Sequence, residues 1–118
     1  MALSVLIVDD HPSFRASARV LLEAEGFDVI GEAADGASGQ EAIDRLRPDV
    51  VLLDVQLPDI DGFEVCEECQ RKNGYGPKIV LVSSRDASDY GDLIATSGAT
   101  GFIPKAELSG EALAALVE

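Results

Sequence analysis

Short apolar runs closed by a polar residue are the feature that most narrows the folds open to this chain. "VLIV" ends on Asp9, "VVLL" on Asp54, "IVLV" on Ser83, and "GFI" leads through Pro104 to Lys105. A strand with one wet face alternates apolar and polar residues. A run without polar positions has both faces covered, the condition of a parallel sheet between layers of helices. The expected strands are 4–8, 27–33, 49–53, 78–82 and 100–103, and the second, "FDVIGEA", is mixed enough to suit a sheet edge. Helical patterns separate them without repeats or low-complexity tracts, so the chain reads as βα repeated five times.

Period and punctuation place the helices. Phe14, Ala18, Leu21 and Leu22 form one stripe, and Gly26 stands where the chain must leave the first helix. Ser38 with Glu41 reads as a capping box opening the second, which carries Ala42, Ile43 and Leu46 until Pro48 stops it. The third is expected over 62–72. In the fourth, "DASDYGDLIATSG", Gly91 sits mid-pattern and costs about 1 kcal/mol relative to alanine, so that helix is marginal. Ser109 caps the fifth, with Leu108 and Leu113 placed as a hydrophobic staple and Leu116 and Val117 continuing the buried face.

A length of 118 residues suits one domain that needs no disulfide or metal staple. No apolar run approaches the roughly 18 residues that span a bilayer, and "MALSVLIVDD" has neither the basic flank nor the cleavage site of a signal peptide. The expected setting is cytoplasmic, with no membrane association. A net charge of −13 argues against direct nucleic-acid binding and favours basic partners or bound cations. Cys66 and Cys69 form a C-x-x-C, but they lie within a helical pattern beside Glu67 and Glu68, which disfavour a thiolate. A structural zinc site would want four ligands. With Phe63 they recur every three residues, as small buried hydrophobes on one helix face do.

Ligand sites in open α/β sheets lie beyond the carboxyl ends of the strands, where strand order reverses. Asp9 and Asp10 end strand one, Asp54 ends strand three, Ser83 and Ser84 end strand four, and Lys105 follows strand five. The order 2-1-3-4-5 brings the three carboxylates into one shallow pocket, and that convergence favours it. Acids about 4–6 Å apart repel by several kcal/mol in total at an effective dielectric near 20. A hard divalent cation such as Mg²⁺, with Lys105, would compensate. A carboxylate in such company can attack phosphorus and form an aspartyl phosphate. Taken singly, the same residues have plainer readings: Asp10 as a cap for the first helix, Asp9 as a solvated strand end, Ser83 and Ser84 as turn residues, Lys105 as a surface charge and His11 as a loop residue.

Together they resemble the receiver domain of bacterial two-component response regulators, through "VLIVDDHPSFR", "PDVVLLDVQLPDIDGFEV", "KIVLVSS" and "GATGFIPKAEL". The resemblance spans residues 1–118 and implies a flavodoxin-like (βα)5 fold, a doubly wound parallel sheet. It implies Asp54 as phosphoacceptor and Mg²⁺ held by Asp9, Asp10, Asp54 and the main-chain carbonyl of Gln56. It further implies Ser83 as the switch hydroxyl, Lys105 as the ion pair to the phosphoryl oxygens and Phe102 as the aromatic rotamer switch. The implied donor is a sensor histidine kinase or phosphotransfer protein. The chain departs from the family pattern at Ala106, where many receivers carry proline, so a trans bond is expected there. Gln56 and Arg85, each two residues past a matched position, are by the same resemblance the side chains expected to influence the water that hydrolyses the phosphoryl group.

By this reading the domain catalyses its own phosphorylation and dephosphorylation without turning over a small substrate. The surface of helix four, strand five and helix five is the expected partner or homodimer interface, and "GFIPKAELSGEAL" is similar to receivers that precede DNA-binding domains, so the output is expected in transcription. Two other classes differ at identifiable places. A Mg²⁺-dependent phosphatase of the haloacid dehalogenase type would carry D-x-D at strand one, where "VDDHP" stands; an FMN carrier would carry a Ser/Thr/Gly-rich phosphate loop there.

Overall fold

The computed structural model describes residues 2–71 and 76–118. Five parallel strands, β1 (Ser4–Val8), β2 (Asp28–Ala33), β3 (Val50–Asp54), β4 (Lys78–Ser83) and β5 (Gly101–Pro104), form one sheet in the order β2-β1-β3-β4-β5. The expected strand positions hold to within a residue at each end, and β2 is an edge. The helices are α1 (Pro12–Ala24), α2 (Gly36–Leu46), α3 (Gly62–Arg71), α4 (Leu93–Thr96) and α5 (Gly110–Val117). The position at which the third helix was expected to end, Lys72, lies outside the described residues.

The apolar runs are continuous because the sheet feeds two cores. Val5, Ile7, Leu52, Val80 and Val82 point to one side, where they meet Ala18 and Leu22 of α1 and Leu113 and Val117 of α5. Their neighbours Leu6, Val8, Val51, Leu53, Ile79 and Leu81 point to the other, against Ala42 and Ile43 of α2 and Phe63, Val65, Cys66 and Cys69 of α3. Side chains alternate across a strand, so a sheet with two dry faces needs an apolar residue at every position. Each large aliphatic side chain so buried contributes about 1.5–3 kcal/mol. Both cysteines are buried thiols outside any disulfide, and burial pushes the Cys66 thiol pKa up, against thiolate chemistry.

Helix ends follow local chemistry, with three corrections to the sequence reading. Gly26 leaves α1 at φ +102°, where a side chain would be strained, and Ser109 accepts a hydrogen bond from the Ala112 amide to cap α5. For α2, however, the cap is Asp35: its carboxylate accepts from the Ser38 amide at 2.8 Å, and Ser38 is the third helical residue of the box. An acid one turn earlier reaches the free amides first and displaces the Ser38–Glu41 box. Asp10 does not cap α1, whose N-cap is His11, followed by Pro12. The fourth helix is divided: a 3₁₀ turn over Ala87–Tyr90, Gly91 at φ +57°, and then a single turn of α4. A positive φ ends the helical run, and only glycine takes it without strain.

Candidate functional site

Val8 pairs with Leu53, so the acids that follow in the chain emerge side by side at the carboxyl edge of the sheet. Asp9 is fully buried and Asp54 is 2% exposed. Lys105, in the 3₁₀ turn Lys105–Glu107 after β5, places Nζ 2.7 Å from Asp9 Oδ2 and 3.1 Å from Asp54 Oδ2, and lies over the Phe14 ring. Asp54 Oδ1 accepts from the Gln56 amide at 3.1 Å. Asp9 Oδ1 accepts from the His11 amide at 2.7 Å, and Arg15 donates to the Asp9 carbonyl oxygen at 2.6 Å. His11 Nδ1 stands 3.1 Å from both Asp9 Oδ1 and Asp10 Oδ1.

Charge is the governing quantity here. Burial raises the pKa of Asp54, and the charge of Asp9 pushes the same way; the Gln56 amide and Lys105 oppose without prevailing. For Lys105, burial works against the ammonium, but hydrogen bonds and charges from Asp9 and Asp54 outweigh it and raise the pKa. One ammonium thus pairs with two carboxyl groups, and a third, that of Asp10, belongs to the same cluster. Asp9, Asp10, His11 and Asp54 each offer a donor atom, all within 4.8 Å of one another, and the buried Asp10 Oδ1 has the His11 ring nitrogen beside it but no well-formed hydrogen bond among the described residues. An oxygen-rich, under-compensated cluster of this kind fits a hard divalent cation.

The loop after β3 is held for this purpose by its own acids. Asp59 accepts from the Gly36 and Ala37 amides, tying the loop to the start of α2, and these bonds hold its carboxyl below the usual range. Asp61 accepts from the Glu64 amide at the start of α3. At Gly62 a Cβ would collide with the Asp54 carbonyl oxygen and lie 2.9 Å from Val55 Cα, so the chain crosses the end of β3 only with glycine there. The L-P-x-x-D-G stretch is therefore the structural support for Asp54.

Of the residues singled out in the sequence, Asp9, Asp10, Asp54 and Lys105 come together, and Gln56 is joined to them through its backbone. Ser83, fully buried at the end of β4, has its hydroxyl oxygen 2.5 Å from the Tyr90 hydroxyl and accepts from the Arg85 amide. Phe102, half-buried on β5, meets the Tyr90 ring edge-on at 5.9 Å, and Phe63 meets the same ring at 5.5 Å. Among the described residues no peptide bond is cis, as expected for the one before Ala106. His11 and Tyr90 are the participants that sequence reasoning did not place. Adjacency to the acid pair was a signal for His11; for Tyr90 there was none.

This edge of the sheet is that of a known family. The response regulator receiver domain model matches residues 5–118, and the chain belongs to that family. The DNA-binding transcriptional activator EvgA of Escherichia coli is 34% identical over 114 residues, 97% of this chain and 55% of that protein. BvgA of Bordetella pertussis is 39% identical over 103 residues, 87% of this chain and 49% of that protein. The chain thus spans about half the length of these curated relatives. The signal receiver domain of NarL from Mycobacterium tuberculosis superposes with a TM-score of 0.85 at 32% identity, covering 98% of this chain and 96% of that one. The haloacid dehalogenase alternative finds no support in these matches.

Proposed function

We propose that residues 1–118 act as a phosphoacceptor signalling domain, with Asp54 receiving a phosphoryl group from a phosphohistidine on a sensor kinase or phosphotransfer protein. The observation that carries this is a buried carboxylate at a strand end, 3.1 Å from the Lys105 ammonium, in a cluster short of positive charge. In the reaction an Asp54 oxygen attacks phosphorus as the bond to the donor nitrogen breaks, and the rigid end of β3 fixes its approach. Lys105 pairs with the phosphoryl oxygens, and Ser83 donates a hydrogen bond to one of them. Asp9, Asp10, Asp54 and the Gln56 carbonyl would hold Mg²⁺, which when bound supplies positive charge to the phosphoryl oxygens. Gln56 and Arg85, whose backbone amides hold Asp54 and Ser83, are the side chains assigned to order the water that later hydrolyses the acyl phosphate.

The domain modifies itself and is not an enzyme acting on a separate small substrate. Its output surface is α4, β5 and α5, which contacts a partner or a second copy, and its wider role is control of transcription within a longer regulator. The setting is cytoplasmic; among the described residues no helix is long and apolar enough to cross a membrane. The test is intact-mass spectrometry after incubation with acetyl phosphate and Mg²⁺. Wild type is expected to gain one acid-labile phosphoryl group, and Asp54→Asn none. Steady hydrolysis of a small phosphate ester without a stoichiometric label would overturn the reading.

A further inference from the structure

We propose that Tyr90 is a positioning residue for the switch hydroxyl: its own hydroxyl holds Ser83 and competes for it with the phosphoryl group on Asp54. The inference rests on the phosphoacceptor reading. Ser83 is fully buried, and a buried hydroxyl must find its partners within the protein. It has one hydrogen to donate and two lone pairs. The Arg85 amide donates to the oxygen at 3.1 Å, and the Tyr90 hydroxyl engages it at 2.5 Å. To donate to a phosphoryl oxygen at the end of the neighbouring β3, the Ser83 side chain must turn away from Tyr90.

Packing determines where the tyrosine hydroxyl sits. The ring is gripped edge-on by Phe63 of α3 and Phe102 of β5, at the end of the 3₁₀ turn that Gly91 terminates. Tyr90 itself is only half-buried, so its hydroxyl can turn to water once Ser83 leaves. The two-hydroxyl contact therefore favours the unphosphorylated arrangement, and it lies between Ser83 and Phe102, the two residues expected to move. A protein held partly in a non-binding arrangement binds its ligand more weakly in proportion.

Tyr90→Phe removes the oxygen and keeps the ring. Binding of beryllofluoride with Mg²⁺, followed by isothermal titration calorimetry, is expected to tighten by roughly two- to tenfold, the worth of one intramolecular hydrogen bond. In a Ser83→Ala background the same substitution is expected to change nothing, because the partner hydroxyl is already absent. Unchanged or weaker binding by Tyr90→Phe, or an equal gain in the Ser83→Ala background, overturns the proposal. If wild type binds beryllofluoride and takes an acid-labile label while Tyr90→Phe is indistinguishable from it, only the Tyr90 assignment fails. If wild type does neither, the phosphoacceptor reading falls and this one with it.

Discussion

Removing the charge of the residue at the centre of the site is expected to stabilise the metal-free protein. In Asp54→Asn the side chain keeps its shape and loses its ionisation. The Lys105 ammonium at 3.1 Å attracts the Asp54 carboxylate by about 5 kcal/mol at an effective dielectric near 20. Donor atoms of Asp9 and Asp10 lie within 4.8 Å, and each ionised neighbour repels it by at least about 3.5 kcal/mol on the same scale. The balance is about 2 kcal/mol against the ionised group. The cost of burying a charge adds to it with the same sign, in accord with the raised pKa. For a chain of 118 residues each kcal/mol moves the melting temperature by about 4 °C, so a rise of about 8 °C is expected in EDTA. Calorimetric melting at pH 7 reads it directly. Adding MgCl₂ should then raise wild type far more than the variant, by about 2.7 kcal/mol at one hundred times the dissociation constant. A variant melting at or below wild type in EDTA would refute the charge argument.

Three further outcomes follow from other parts of the molecule. Gly62→Ala drives a Cβ into the Asp54 carbonyl and should cost at least about 3 kcal/mol or displace the end of β3, read by urea unfolding and by Mg²⁺ affinity. Ser109→Ala removes the cap on α5 and should cost about 1 kcal/mol by the same unfolding assay. Arg19, then Arg15, hold the Glu32 carboxyl below its usual range, so its contribution is present above about pH 4.3, the unfolded value, and is lost as pH falls through the folded one. The stability gap between wild type and Glu32→Gln should therefore shrink on acidification from pH 6 toward about pH 3.

The strands were legible because burial on two faces leaves no room for polar residues, a constraint written at every position of "VLIV", "VVLL" and "IVLV". The acids favoured the strand order that the sheet has, since adjacency of β1 and β3 brings Asp9, Asp10 and Asp54 into one cluster. Capping was harder to read. Asp35–Ser38 and Ser38–Glu41 satisfy the same spacing, and only the backbone path decides which acceptor meets the free amides. Tyr90 eluded the sequence reading for a different reason. Its role depends on where a loop folds back: Tyr90 is seven residues beyond Ser83, and it returns to it through the 3₁₀ turn.

The division at Gly91 has a mechanical corollary. A long helix behaves as a rod, carrying a push at one end to the other, whereas a four-residue helix has too few backbone bonds to be stiff. Whatever reaches this side of the molecule would therefore register as a gain or loss of order along the segment, and a partner docking there would sense how firmly the turn is held more than how far it has travelled.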